Sequence, residues 1–149
     1  MENVKKINED ISIATNQPSS EQFDQAEKAG FKSVLNLRDA QEEGVLEAES
    51  QQVEAAGLTY ANIAVKLSEM DEALVDEVLA KIEQLPKPVL AHCKSGLRSG
   101  AIALIYDAVK HNKSAQTALD KGKTSGFDCD AHPQMKQFFV SYINQHSKT

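Results

Sequence analysis

Four short stretches carry the two-residue alternation or the β-branched run of a strand: ISIAT (11–15), KSVLNLR (32–38), TYANIAV (59–65) and KPVLAHC (87–93). Between them the spacing of apolar residues becomes helical. EQFDQAEKAG follows a Ser19/Ser20 cap, LEAESQQVEAAG runs to Gly57, and DEALVDEVLAKIEQL stops before Pro86. Beyond the fourth strand the pattern predicts three more helices, over about 98–110, 114–121 and 133–146, with Gly122, Gly126 and Pro133 as punctuation. Such alternation predicts an α/β fold, a three-layer α/β/α arrangement whose central, mostly parallel sheet of four to five strands is flanked by helices. Functional loops in such folds sit at the carboxyl ends of the strands. KPVLAHC is apolar on both faces after Pro88, as a buried central strand should be, and AIALIYDAV behind it is apolar enough for a central helix.

A chain of 149 residues buries roughly 70% of the surface its unfolded form exposes. A single domain over residues 1–149 is therefore expected, with no disulfide or metal as a staple. Composition adds no linker, repeat or low-complexity tract: 41% hydrophobic, 26% charged, 7 Gly and 4 Pro. The 16 basic and 22 acidic side chains leave a net charge of −6, which repels polyanions, so neither nucleic acid nor an anionic membrane is an expected partner. The longest uninterrupted apolar run, Ala101–Tyr106, is far too short to span a bilayer, and MENVKKINEDISIA lacks an apolar core of signal-peptide length. A cytoplasmic location is expected, although a chain whose export leader had been cleaved would carry the same sequence. The 2 cysteines, Cys93 and Cys129, read as free thiols rather than as a bridge.

Cys93 stands in HCKSGLRSG (92–100), between the central strand and the central helix. A thiol attacks as its thiolate, which is favoured at a helix amino terminus among unpaired N–H groups and beside a fixed positive charge. The turn Lys94, Ser95, Gly96, Leu97 can aim its amides inward, with Gly96 permitting a backbone conformation closed to other residues. Arg98 offers a planar fork to two oxygens of an oxyanion. Such a cradle suits phosphate, sulfate or a persulfide. Ser99 is placed to hydrogen-bond the sulfur, and His92 to hold the loop shape through its ring nitrogens. Singly, these residues would read as a buried strand-end cysteine, a turn glycine and a capping arginine. At this spacing, with strand before and helix after, they read together as an anion-binding nucleophile.

With HC..G.RS go two upstream pieces, ATNQPSSEQFDQAEKAGFKSVLNLRDAQEEG and AAGLTYANIAV. From about Ile11 to about Ile143 the pattern resembles the bacterial phosphatase-like family found as a domain of beta-lactamase-hydrolase-like proteins, within the protein-tyrosine and dual-specificity phosphatase superfamily. The resemblance implies the cysteine-dependent phosphatase fold and a hydrolase that uses no metal or other cofactor. It implies Cys93 as nucleophile, Arg98 as phosphate ligand, Ser99 as thiol partner and the amides of Lys94 to Leu97 as the cradle. The substrate would be a phosphorylated small molecule or a phosphoprotein, cleaved through a phosphocysteine. Asn16, Gln17 and Pro18 stand where the family usually has Gly-Gln-Pro, a mild departure because Asn tolerates the left-handed region. A larger one is that four residues separate Cys93 from Arg98, where the superfamily signature normally has five. Single-domain rhodaneses, which carry sulfur as a cysteine persulfide, commonly show a loop of this length. A rhodanese-like sulfurtransferase acting through the same cysteine therefore stays open, as does a non-catalytic phosphate-binding regulatory domain.

Phosphomonoester cleavage leaves an oxyanion that needs a proton, supplied in the superfamily by an aspartate on a loop before the signature. In VKLSEMDEA that place falls on Lys66 or Leu67. Glu69 and Asp71 are nearby substitutes, but Ser68-x-x-Asp71 is also a helix-start pattern, the commoner use of such residues. Arg38 with Asp39, Glu42 and Glu43 reads by default as a surface ion-pair cluster, the alternative being support of the signature loop or substrate contact. In FDCDAHP, Asp128 and Asp130 oppose nucleophilicity at Cys129, no four-ligand metal set assembles around His132, and Asp130 suits a cap for the last helix. A Cys93–Cys129 disulfide is left open. Lys110, Lys113, Lys121 and Lys123 follow the signature helix, either steering an anionic substrate or forming a solvated face. Phe138, Phe139, Tyr142 and Ile143 have the spacing of a helix packed onto the sheet.

Overall fold

The computed structural model describes residues 4–15, 18–38, 49–65, 71–93, 97–125 and 133–146. Within them β1 (Val4–Lys6), β2 (Ile11–Ala14), β3 (Ser33–Asn36), β4 (Thr59–Asn62) and β5 (Val89–His92) form one sheet in the order β1-β2-β5-β3-β4. β2, β3 and β5 are buried at every position, which places them in the middle. They pair in parallel with one another and, through β3, with β4, while β1 runs antiparallel to β2.

Helices cover both faces: α1 (Ser20–Lys28), α2 (Glu49–Ala55), α3 (Glu72–Gln84), α4 (Leu97–Lys110), α5 (Ala115–Ser125) and α6 (Pro133–His146). On one side Ala14, Val34 and Leu90 pack with Phe23 and Ala26 of α1 and Val53 of α2. On the other, Ile13, Leu35 and Ala91 pack with apolar residues of α3, α4, α5 and α6, among them Ile82, Ile102, Leu119 and Phe139. The fold is thus the expected three-layer α/β/α arrangement. Full burial of each Val, Leu, Ile or Phe among them contributes roughly 1.5–3 kcal/mol. Because strand residues alternate in direction, the end of β5 sends His92 toward the α1/α2 layer and Cys93 toward the larger core.

Some elements differ from the sequence pattern. β1 has no apolar alternation, since VKK is short and largely exposed, and it exists through pairing with β2, Val4 opposite Ala14 and Lys6 opposite Ser12. α5 passes through Gly122, which is buried inside the helix rather than ending it. An interior glycine costs about 1 kcal/mol of helix propensity, and packing against α4 and α6 outweighs that. The last residues of TYANIAV leave the ladder, yet Ile63 and Val65 still donate their amides to the carbonyls of Asn36 and Leu37 (3.0 and 2.9 Å).

Local signals set the helix ends. Ser19 caps α1 in a reciprocal box with Gln22, and Gly57, at φ +90°, closes the turn after α2 where a side chain would be strained. The far end of α4 is anchored at Asp107, whose side chain is 3% exposed. Its carboxylate accepts from Asn8 Nδ2 (2.8 Å), Lys113 Nζ (3.0 Å) and Lys121 Nζ (3.1 Å). Burial pushes this carboxyl up, but the bonds from Asn8, Lys113 and Lys121 outweigh it and hold it below the usual aspartate value. A carboxyl depressed on folding contributes stability that is full above its unfolded-state pKa and lost as pH falls through its folded one. Asp107→Asn is expected to destabilise the protein by about 2 kcal/mol near neutrality. Urea titrations of the two proteins should converge in acid, and a gap independent of pH would contradict the ionised clamp.

Candidate functional site

β5 ends at His92, whose carbonyl accepts the Leu37 amide at 2.9 Å as the sheet's last bond before Cys93. α4 begins at Leu97, so the sulfur lies where the strand gives way to a helix amino terminus. Cys93 is fully buried among core residues. Its sulfur is nevertheless in polar company: the Ser99 amide donates to Sγ at 3.4 Å, and Ser99 Oγ lies 3.4 Å from it. Ser99 is itself fully buried in the first turn of α4. Arg98, in the same turn and half-buried, donates from Nη1 to the Val65 carbonyl at 2.8 Å. Its guanidinium is thereby tied to the chain just after β4 rather than left to bulk water.

His92 points the other way. Its Nε2 lies 2.8 Å from Glu49 Oε2, in a pair whose side chains are 0% and 2% exposed. The Tyr60 hydroxyl, which accepts from Asn36 Nδ2 at 3.1 Å, lies beside the Glu49 carboxylate. Burial pushes the Tyr60 hydroxyl up to about 12, opposed by the Asn36 amide and reinforced by the Glu49 carboxylate, so Tyr60 keeps its proton. Asn36 Oδ1 meanwhile accepts the Arg38 amide at 2.9 Å. Three parallel strands and α2 thus share one polar chain that terminates one residue before the thiol.

Glu49 was missed by sequence reasoning, which read its helix as an ordinary amphipathic one. Glu49 and Val53 are four residues apart and both buried, so the available signal was a carboxylate on the apolar face of α2. Arg38, expected on the surface, is only 2% exposed. The short run after β3 returns into the sheet, with Asn62 Nδ2 donating to the carbonyls of Asn36 and Arg38 (2.7 and 3.0 Å). Asp39, Glu42 and Glu43 lie outside the described residues.

Lys94, Ser95 and Gly96 also lie outside the described residues, as do Lys66 to Glu69 and the segment holding Asp128, Cys129, Asp130 and His132. Leu97 is the first residue of α4. Asp71 caps α3, accepting the Leu74 amide at 2.8 Å. Lys110 pairs with Asp10 at 2.8 Å, and Lys113 and Lys121 with Asp107, so these cations serve acids of their own chain at the far end of α4. Among the described residues no cluster of three or more His, Cys, Asp or Glu could hold a metal ion, and no helix is long and apolar enough to cross a membrane.

Residues 3–110 match the family described as beta-lactamase hydrolase-like protein, phosphatase-like domain. The beta-lactamase hydrolase-like protein of Agrobacterium fabrum is 33% identical over 126 residues, a match covering 83% of this chain and 29% of that protein. The chain therefore spans under a third of the length of such a relative. Among solved structures, a DUF442 protein from Shewanella putrefaciens superposes with a TM-score of 0.83 at 20% identity, covering 97% of this chain and 93% of that one. TpbA from P. aeruginosa, in complex with pTyr, superposes with a TM-score of 0.76 at 18% identity, covering 96% and 88%. These likenesses carry the fold.

Proposed function

Because this chain belongs to the family of phosphatase-like domains of beta-lactamase hydrolase-like proteins, we propose that it is a cysteine-dependent phosphatase acting on a phosphomonoester through a phosphocysteine. Cys93 thiolate attacks phosphorus, forming the S–P bond as the ester P–O bond breaks and the leaving oxygen departs as its anion, to be protonated by solvent water. Water then attacks phosphorus, the S–P bond breaks, and inorganic phosphate leaves with the thiolate restored. Arg98 and the amides of Lys94 to Leu97 hold the equatorial oxygens, and Ser99 partners the sulfur. The observation that carries this reading is the Cys93 sulfur at the head of α4, receiving the Ser99 amide within one helical turn of the Arg98 guanidinium.

TpbA is held in complex with pTyr, which favours an aryl phosphate as the first substrate to try. A phenolate also departs readily, which suits a site in which Asp71 is engaged as a helix cap. The natural substrate is a phosphorylated small molecule or a phosphoprotein, and residues 1–149 act as one domain. The four residues between Cys93 and Arg98 favour a second reading, sulfur transfer through a Cys93 persulfide. Steady-state assays separate the two. Phosphate release from p-nitrophenyl phosphate is expected to saturate, with no thiocyanate formed from thiosulfate and cyanide. Thiocyanate without phosphate release would reverse the assignment, and neither product would leave a phosphate-binding module.

A further inference from the structure

The Glu49–His92 pair is an expensive thing to bury, since taking a carboxylate out of water costs several kcal/mol unless its partners are well placed. Leucine in place of each residue would serve packing alone. Among the described residues Glu49 meets His92 Nε2 at 2.8 Å and lies beside the Tyr60 hydroxyl, which accepts from Asn36. The other ring nitrogen of His92, Nδ1, is buried and has no hydrogen-bond partner among the described residues. A proton there would leave an orphaned buried donor, whereas a proton on Nε2 meets a carboxylate. The arrangement therefore selects the Nε2–H tautomer. His92 is the last residue of β5, and its carbonyl is fixed by Leu37, so its ring and main chain are both tethered just before the Cys93 peptide.

We propose that Glu49 is a positioning residue for Cys93: set beside Tyr60, it locks His92 as the Nε2–H tautomer and so fixes the strand end from which the Cys93 loop departs. This rests on Cys93 being the nucleophile. Outer-shell partners that orient a metal-ligating histidine typically contribute about 10–100-fold to activity, and the same scale is expected for a histidine that anchors a catalytic loop. Glu49→Gln keeps size and removes charge, and its amide can present N–H to the ring and drive the proton to Nδ1.

The test compares parent, Glu49→Gln and Tyr60→Phe by nitrogen-15 NMR of the His92 ring, by the rate of Cys93 alkylation with iodoacetamide, and by kcat and KM for p-nitrophenyl phosphate. Expected are Nε2–H in the parent and Nδ1–H in Glu49→Gln, with Cys93 alkylation slowed and kcat lowered about 10–100-fold at little changed KM. In Tyr60→Phe the tautomer should persist, with a smaller loss of rate. A parent ring protonated at Nδ1 overturns the proposal even if Glu49→Gln fails to fold. So does a folded Glu49→Gln with parental alkylation. Tautomer and alkylation need no phosphate ester, so an inactive parent would defeat the phosphatase reading while these two readouts still decide the role of Glu49.

Discussion

Cys93→Ser is expected to abolish turnover, by on the order of 10⁴-fold or more, while the protein stays folded. Serine is nearly isosteric, and its hydroxyl would meet the Ser99 amide and hydroxyl that address the sulfur among the described residues. A buried hydroxyl that finds its hydrogen bonds costs little, so stability should change by about 1 kcal/mol or less. The chemistry does not survive so well. A serine hydroxyl without an adjacent base is a far weaker nucleophile than sulfur. Binding of inorganic phosphate, followed by calorimetry, should persist in the variant as kcat vanishes. A serine variant with parental kcat would exclude the sulfur from the reaction.

The second large effect is expected at Arg98. Arg98→Lys keeps the charge but replaces a planar fork of five donors by a point charge, so it cannot hold two equatorial oxygens and also reach the Val65 carbonyl as Nη1 does. Removing a donor that serves developing charge typically costs 10²–10³-fold in rate. Because this side chain serves binding and the transition state together, kcat/KM should fall by about 10³-fold, or about 4 kcal/mol. Steady-state kinetics with p-nitrophenyl phosphate would show it. A lysine variant within a few-fold of the parent would mean that charge alone suffices.

The central strands and the helices between them were legible because burial imposes a pattern: β2, β3 and β5 are buried throughout and more apolar than polar taken together, and α1 and α3 carry polar outer faces. The Cys93 loop was legible for a related reason, since nucleophile, turn and arginine fall within seven consecutive residues of HCKSGLR. Features that depend on contacts distant in sequence were not. β1 is specified by its partner, and Gly122 by the packing of α5 rather than by helix propensity. Arg38 resembles a surface residue because acids follow it, yet the chain turns it inward. Glu49 belongs with His92 across 43 positions of sequence, a pairing that only the sheet and α2 bring together. Asp71 satisfied two patterns, and the Leu74 amide shows it acting as a cap.

The decisive measurement is the mass of Cys93 itself. Protein quenched in acid during turnover of an aryl phosphate, then digested and weighed, should carry one phosphoryl group on the peptide containing Cys93, and the Cys93→Ser protein should carry none. Thiosulfate under the same conditions should leave the parent peptide unmodified. A sulfur atom gained from thiosulfate with no phosphoryl adduct, or steady turnover of the ester by the serine protein, would contradict a phosphatase built on this thiol.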